Sequence, residues 1–428
     1  MNTAKAPHAL LILVAIIALG VVVSFAGAYL VYPGYVDTGE PNIVALAWRI
    51  LDGHPVYLPV DDAARITNLY GPYLYLIHAA VLGIFGGSVL IGKLPGILAL
   101  MVGLSLVAYT HRKAGLTSVC LGLAYCAGIV GLNLPATIWD RPETFMFACV
   151  AAGVCFNNLD NDRNGRTLRI VGFGILIGVL MGLKVFAPIY FLPFGLLMLF
   201  RDGVFACVLT VIVALVVAAF PFAFDTFRFE HLADLLGLMT SKPNSVGELI
   251  KVIRYSLYYI VPAVIFAIPV YGYMDTKERR ETLLLLVGLL GAILLVMYPA
   301  QKPGAGMYYW VPFAPIISDM LVRGLKVSQE KRSFLWAAVA IALLVNVLAI
   351  PTEKRFWRSL DWQTATGVAE EIELIAKAHQ TKSIEIGIGD KRRIEPRIGE
   401  VRALEVRAAQ VDARRVRAAQ VRAFEVRV

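Results

Sequence analysis

Charge is scarce in this chain of 428 residues. Asp, Glu, Lys and Arg make up 17%, hydrophobic residues 58%, and the mean hydropathy is +0.69. That balance excludes an ordinary soluble protein. The sequence also lacks a P-loop, a GxGxxG turn, a GxSxG elbow and an HExxH pair, so the usual signatures of nucleotide-loop, dinucleotide, serine-hydrolase and zinc-protease chemistry are absent. The six His show no clustered spacing and give no metal signal. The five Cys (Cys120, Cys126, Cys149, Cys155 and Cys207) all sit inside apolar runs, whereas a disulfide framework would need them in polar loops. They read as small packing residues. Apolar and polar residues do not alternate as strands of a membrane barrel require.

What is present instead is a series of continuous apolar runs, many near the ~20 residues that cross a ~30 Å hydrocarbon core. The first, Leu10 to Val31, is longer than a signal-peptide core of ~7–15 residues and reads as an uncleaved span. A polar stretch from Tyr32 to Leu69 follows, then the short segment "YGPYLYLIHAAVLGIFGG", Tyr70 to Gly87. Further runs are Val89–Thr110, Thr117–Leu134, Glu143–Phe156, Leu168–Leu183, Val185–Phe200, Val204–Phe222, Tyr255–Tyr273, Thr282–Tyr298, Tyr308–Val322 and Phe334–Ile350.

The sidedness of the basic loops decides whether Tyr70 to Gly87 crosses. If it does not, Arg112 and Lys113, then Arg163, Arg166 and Arg169, then Arg201, then Lys277, Arg279 and Arg280, then Arg323, Lys326, Lys331 and Arg332 share the side of Lys5. If it crosses, all of those loops move outside. The segment is therefore expected to be interfacial. The expected architecture is an all-α polytopic membrane protein of about eleven spans, with a cytoplasmic N-terminus and an extracytoplasmic C-terminus. Its outer face would carry the loops Tyr32–Ser88, Pro135–Pro142, Ala223–Arg254 and Pro299–Met307.

Residues 1–350 form the expected membrane domain. Residues 351–390 read as a small extracytoplasmic segment with an amphipathic helix and a short strand, and 391–428 as a low-complexity Val/Arg/Ala/Glu tail. The net charge of +9 does not point to nucleic acid, because 16 of the 40 basic residues follow Pro351 together with 12 acids, and those in the body report topology.

Candidate chemistry lies in the outer loops. In "YPGYVDTGEP", Asp37 and Glu40 follow the first span. They also suit the start of a helix with Pro41 in its first turn, and a capping acid can still face a cavity. In "ATIWDRPETF", Pro142 and Glu143 suit a helix start, but that leaves Trp139, Asp140 and Arg141 unexplained in an apolar neighbourhood. Lys184 in "MGLKVFAP" and Lys302 in "YPAQKPGAGMYYW" are outer-side cations. Snorkelling to the interface is the plain alternative to a functional role for both. Tyr70, Tyr308 and Tyr309 join Arg141, Lys184 and Lys302 as candidate substrate-binding residues. Bases and phosphate-binding cations on one face suit a reaction on a lipid phosphate. A transporter or lipid flippase would also place charges at membrane depth, but no internal repeat is visible and the acids lie at one face.

The segments "VDTGEPNIVALAWRILDGHPVY", "NLYGPYLYLIHAAVLGIFG" and "WDRPETF", in that order, resemble the GT-C superfamily of membrane glycosyltransferases. The likeness is to the bacterial branch of protein O-mannosyltransferases and lipid A aminoarabinose transferases, over about Leu10 to Ile350. It implies a large first outer loop with juxtamembrane helices and a polyprenyl-phosphate-linked sugar as donor. It also implies transfer to a lipid, glycan or protein acceptor on the outer face of the bacterial cytoplasmic membrane, usually with inversion. Asp37 matches the family's catalytic acid, with Glu40 close by and Asp140 at the second-loop acid. No cofactor is required on this logic, although two nearby acids could hold a divalent metal.

Overall fold

The structure, a computed structural model, describes residues 6–37, 39–62, 65–66, 70–240, 246–302, 305–328, 331–363 and 365–367. Among these residues it is helical, without strands. The helices in chain order are α1 (Ala6–Val31), α2 (Glu40–Leu51), α3 (Pro72–Phe85), α4 (Val89–His111), α5 (Leu116–Leu132), α6 (Pro142–Asn157) and α7 (Arg163–Met181). They continue with α8 (Leu192–Asp202), α9 (Val204–Ala219), α10 (Phe229–Thr240), α11 (Val246–Tyr271), α12 (Thr276–Ala300), α13 (Ala314–Val327) and α14 (Arg332–Ser359).

Seven stretches, Ala6–Val31, Val89–Ala114, Arg163–Met181, Val204–Ala223, Val246–Phe266, Thr276–Ala300 and Arg332–Ser359, are long and apolar enough to cross a membrane. The other expected spans are shorter. α5 and α6 have 17 and 16 residues, and α8 and α13 each follow a 3-10 turn, Ala187–Phe191 and Met307–Phe313. The chain is thus a multi-pass helical membrane protein. α3 has 14 residues, about 21 Å at 1.5 Å per residue, less than the ~30 Å hydrocarbon core. It packs between α2 and α4.

One core runs through the bundle. α5 packs on α1, α13 and α14, α4 on α6, α7 on α9, and α12 on α8. The helix α14 differs from the expected boundary at Pro351, since it continues through that proline to Ser359. Phe356 is buried and, with Trp357, packs on the ring of Phe25 in α1. That packing outweighs the missing backbone donor of proline. Beyond α14, the expected helix-and-strand segment and the low-complexity tail lie largely or wholly outside the described residues.

Candidate active site

The chain turns sharply after α1, and a single buried carboxylate holds the turn. Glu40 opens α2 with Pro41 beside it, as a helix start should. It is fully buried. Its Oε2 accepts the backbone N–H groups of Val36 at 2.9 Å and Asp37 at 2.8 Å, and its Oε1 accepts the Asp140 N–H at 3.3 Å and the Tyr29 hydroxyl. Four donors from three parts of the chain therefore meet on one side chain. Burial first, and then the nearby charge of Asp140, push the Glu40 carboxyl up to about 8.

Asp37, next to this knot, is only part-buried. Its Oδ2 pairs with Nη2 of the Arg141 guanidinium at 2.7 Å and accepts the Gly39 N–H at 2.9 Å. The side chains of Asp37 and Arg141 keep 18% and 16% of their surface exposed, so this pair borders accessible space while Glu40 does not. The α2 cap position itself is Gly39, which makes no side-chain cap bond.

Asp140 is fully buried. Its Oδ1 accepts the Gly96 N–H at 3.3 Å and lies 3.5 Å from His78 Nε2 of α3. Burial raises its carboxyl, against the pull of His78. Gly96 is required here, because a Cβ would stand 2.5 Å from the Trp139 carbonyl oxygen. Lys93, one turn earlier on α4, is also fully buried. Its ammonium donates to the carbonyls of Tyr29 at 2.8 Å and Tyr32 at 2.6 Å, under the rings of Tyr29, Tyr32 and Tyr35. It locks the end of α1, from which Asp37 is displayed.

The second half of the site is a cation in an aromatic cage. Lys184, between α7 and the following 3-10 turn, is buried and pairs with Glu143 of α6. The rings of Tyr309, Tyr70, Tyr308 and Phe186 lie 4.4, 5.4, 5.4 and 5.8 Å from its nitrogen. Tyr70 arrives through a backbone contact: Gly71 N–H donates to the Leu183 carbonyl at 3.0 Å, and a Cβ on Gly71 would stand 2.4 Å from the Gly182 oxygen. Arg141 stacks on Trp139 at 4.3 Å and lies 5.8 Å from the Tyr308 ring. Tyr308 is thus shared by the two cations.

The structure brings together Asp37, Glu40, Asp140, Arg141, Lys184, Tyr70, Tyr308 and Tyr309. Lys302, two residues past the end of α12, lies over the Tyr298 ring at 5.3 Å, a different ring from those around Lys184. Glu143, expected as an ordinary helix-start acid, instead partners Lys184. Sequence reading passed over Lys93 and His78. The available signal was a lone ionisable residue inside each of two apolar runs. Among the described residues, no three His, Cys, Asp or Glu side chains gather as a metal-binding group.

Several buried polar atoms here have no hydrogen-bond partner: Asp140 Oδ2, His78 Nε2, Trp139 Nε1, Arg141 Nε, Glu143 Oε2 and Asn133 Oδ1. Such atoms are uncommon in a folded interior and call for an explanation. A cavity of about 330 Å³ is lined by two of these residues, Asn133 and Trp139, together with Tyr308.

No protein-family model matches the chain, and no curated protein matches it. Among solved structures it is similar to ArnT from Cupriavidus metallidurans bound to undecaprenyl phosphate. The TM-score is 0.57 at 14% identity, over 87% of this chain and 81% of that one. At that identity the likeness speaks to fold, and it bears out the expected all-α polytopic membrane architecture.

Proposed function

We propose that the chain is a membrane glycosyltransferase that moves a sugar from a polyprenyl-phosphate carrier to an acceptor hydroxyl on the outer face of a bacterial inner membrane. The observation that carries this reading is the Asp37–Arg141 pair beside caged Lys184. It puts one accessible carboxylate and two cations around a shared tyrosine. The fold neighbour's bound undecaprenyl phosphate supports a lipid phosphate as the ligand class.

In this mechanism the acceptor oxygen attacks the anomeric carbon and passes its proton to Asp37. The bond from that carbon to the phosphate oxygen breaks, with inversion, and the lipid phosphate leaves with the electron pair. Arg141 and Lys184 offset its charge through charge-assisted bonds. Glu40 and Asp140 complete the carboxylate set from beneath, by holding the segment that carries Asp37. Tyr70, Tyr308 and Tyr309 shape the phosphate side of the site.

About eleven spans with the N-terminus inside and the tail outside are part of the same reading. Its test is incubation of purified protein with a panel of polyprenyl-phosphate sugars. Release of free polyprenyl phosphate with sugar appearing on an acceptor is expected; no turnover with any donor would end the proposal.

A further inference from the structure

We infer that a lipid-facing groove between α1 and α14 binds a membrane phospholipid with a primary-amine headgroup. Both helices are long and apolar enough to cross a membrane. They run in parallel, since Phe25 meets Phe356 and Trp357 while Tyr32 meets Trp362. The groove between them has a volume of about 410 Å³. Ile17, Gly20, Val21 and Ser24 line it from α1. From α14 come Ile350, Glu353, Lys354 and Trp357. Each set follows the i, i+3, i+4, i+7 spacing of one helix face. Gly20 leaves the floor open, because a Cβ there would meet no atom within 4 Å. Ile17, Ile350 and Trp357 are exposed, so the groove opens sideways to the surrounding lipid. None of these residues belongs to the cluster around Asp37 and Lys184, and the inference does not depend on the proposed reaction.

The two ends of the groove differ. Toward the middle of α1 its wall is apolar. At the other end stand Glu353 and Lys354, with Trp357, a ring type that favours the membrane–water boundary. Among the described residues, neither charged side chain has an ion pair or a hydrogen bond. Gly131 of α5 makes room for the half-buried Glu353 carboxylate, since a Cβ there would stand 2.8 Å from its Oε1. The nearby Arg355 turns back to the Pro351 carbonyl at 3.4 Å. A lone carboxylate and a lone ammonium on a membrane span are costly and call for partners. The ligand chemistry follows from those two charges. A bare acyl chain answers neither. An anionic headgroup pairs with Lys354 but brings like charge to Glu353. A choline headgroup has no N–H for the carboxylate. An ethanolamine headgroup carries an ammonium donor and a phosphate acceptor side by side, so it satisfies Glu353 and Lys354 together. Its tails then run along Val21, Gly20 and Ile17.

The test is native mass spectrometry of the detergent-solubilised full chain, equilibrated with phosphatidylethanolamine, phosphatidylcholine or phosphatidylglycerol of identical acyl chains. Wild type is expected to retain the ethanolamine lipid about tenfold better than either of the others. Glu353→Gln should erase the preference over the choline lipid, because only the ammonium is read by the carboxylate. Lys354→Gln should weaken retention of the ethanolamine and choline lipids alike, because both present the same phosphate. Gly20→Leu fills the groove and should lower retention of all three lipids; it stands in if a charge variant misfolds. Three results overturn the inference: no retained lipid or equal retention of all three by wild type, a preference for the glycerol lipid, or an unchanged ethanolamine preference in Glu353→Gln. The readout is lipid retention, so a failure here leaves the transfer reaction standing, and a protein without transfer activity can still show the groove occupied.

Discussion

The two ends of the helix bundle both carry charge, but they treat it differently. At the end where α7 begins and α8 ends, Arg169 is buried, and each of its nitrogens has a partner. Nε and Nη2 hold the two oxygens of Asp202 at 2.9 and 3.2 Å, Nη2 also reaches Asn161, and Nη1 reaches the Leu159 carbonyl at 3.4 Å. Nearby, Arg201 binds Glu281 and Asn157, and Arg323 binds Asp319 and Asn158. Of these groups only Asn157 Nδ2 is buried without a partner. At the other end, around Asp37, Arg141 and Lys184, the side chains of Trp139, Asp140, Arg141 and Glu143 each keep such an atom, while Glu40, Lys93 and Lys184 do not. Matched charge glues helices together; unmatched buried polarity is strain that a ligand can relieve. Charge by itself therefore does not separate the two ends; what differs is how many of the ion-paired side chains keep an unpartnered atom.

The comparison fails altogether if the two ends lie on one side of the membrane. Single cysteines at Asn161 and Ala305, in a background without the five native cysteines, are expected to react with an impermeant reagent from opposite sides. Labelling of both from outside would remove the basis for two distinct ends. Within the outer end, the largest expected functional effect is at Asp37. Asp37→Asn keeps the shape and the acceptor for Gly39 but removes the proton acceptor, so transfer should fall by ~10²–10⁴-fold with little change in melting temperature. Near-normal turnover in that variant would shift the base role to Glu40 or Asp140.

A paired experiment sharpens the contrast between ends. Lys184→Met strands buried Glu143, and Arg169→Met leaves Asp202 only the more distant Arg166 at 3.8 Å; each should cost up to about 3–5 kcal/mol of stability. Adding Glu143→Gln or Asp202→Asn should restore much of it. The rescued proteins then differ: the Arg169 double variant keeps its KM for the lipid-phosphate donor, and the Lys184 double variant loses affinity for it. Equal donor KM in both would make Lys184 another piece of glue.

Much of the frame was legible in the sequence, because the length of an apolar run is a local property. α4 begins at Val89 as its apolar run does, and α3 has 14 residues, matching its short run. Asp37 and the 139–143 stretch stood out by composition. Their pairing did not, since which acid meets which cation is set by packing between distant segments. Nothing near Glu143 in sequence announces Lys184. Lys93 was hidden in a different way: its partners are backbone carbonyls of Tyr29 and Tyr32, which have no sequence signature at all. The end of α14 was missed because proline marks a boundary only where packing does not override it, and Phe356 against Phe25 does.

The smallest effect expected concerns the knot beneath Asp37. Burial and Asp140 raise the Glu40 carboxyl from 4.5 to about 8 in the folded protein, so between those values the folded state binds a proton that the unfolded chain releases. A group that holds more protons when folded contributes stability that is complete below the unfolded value and is lost as pH rises through the folded one. Thermal melting should therefore drift downward from about pH 4.5 to about pH 8 on account of this residue. Glu40→Gln has no such proton to lose, and its melting curve should be flatter across that window. At the opposite end, Glu281→Gln removes a carboxylate already matched by Arg201. It should lower stability without removing this drift. Melting measured across the pH window for the three proteins decides the matter: the same slope in Glu40→Gln as in wild type would mean that Glu40 stays ionised in the fold, held by its four donors, and that the two ends handle buried charge alike.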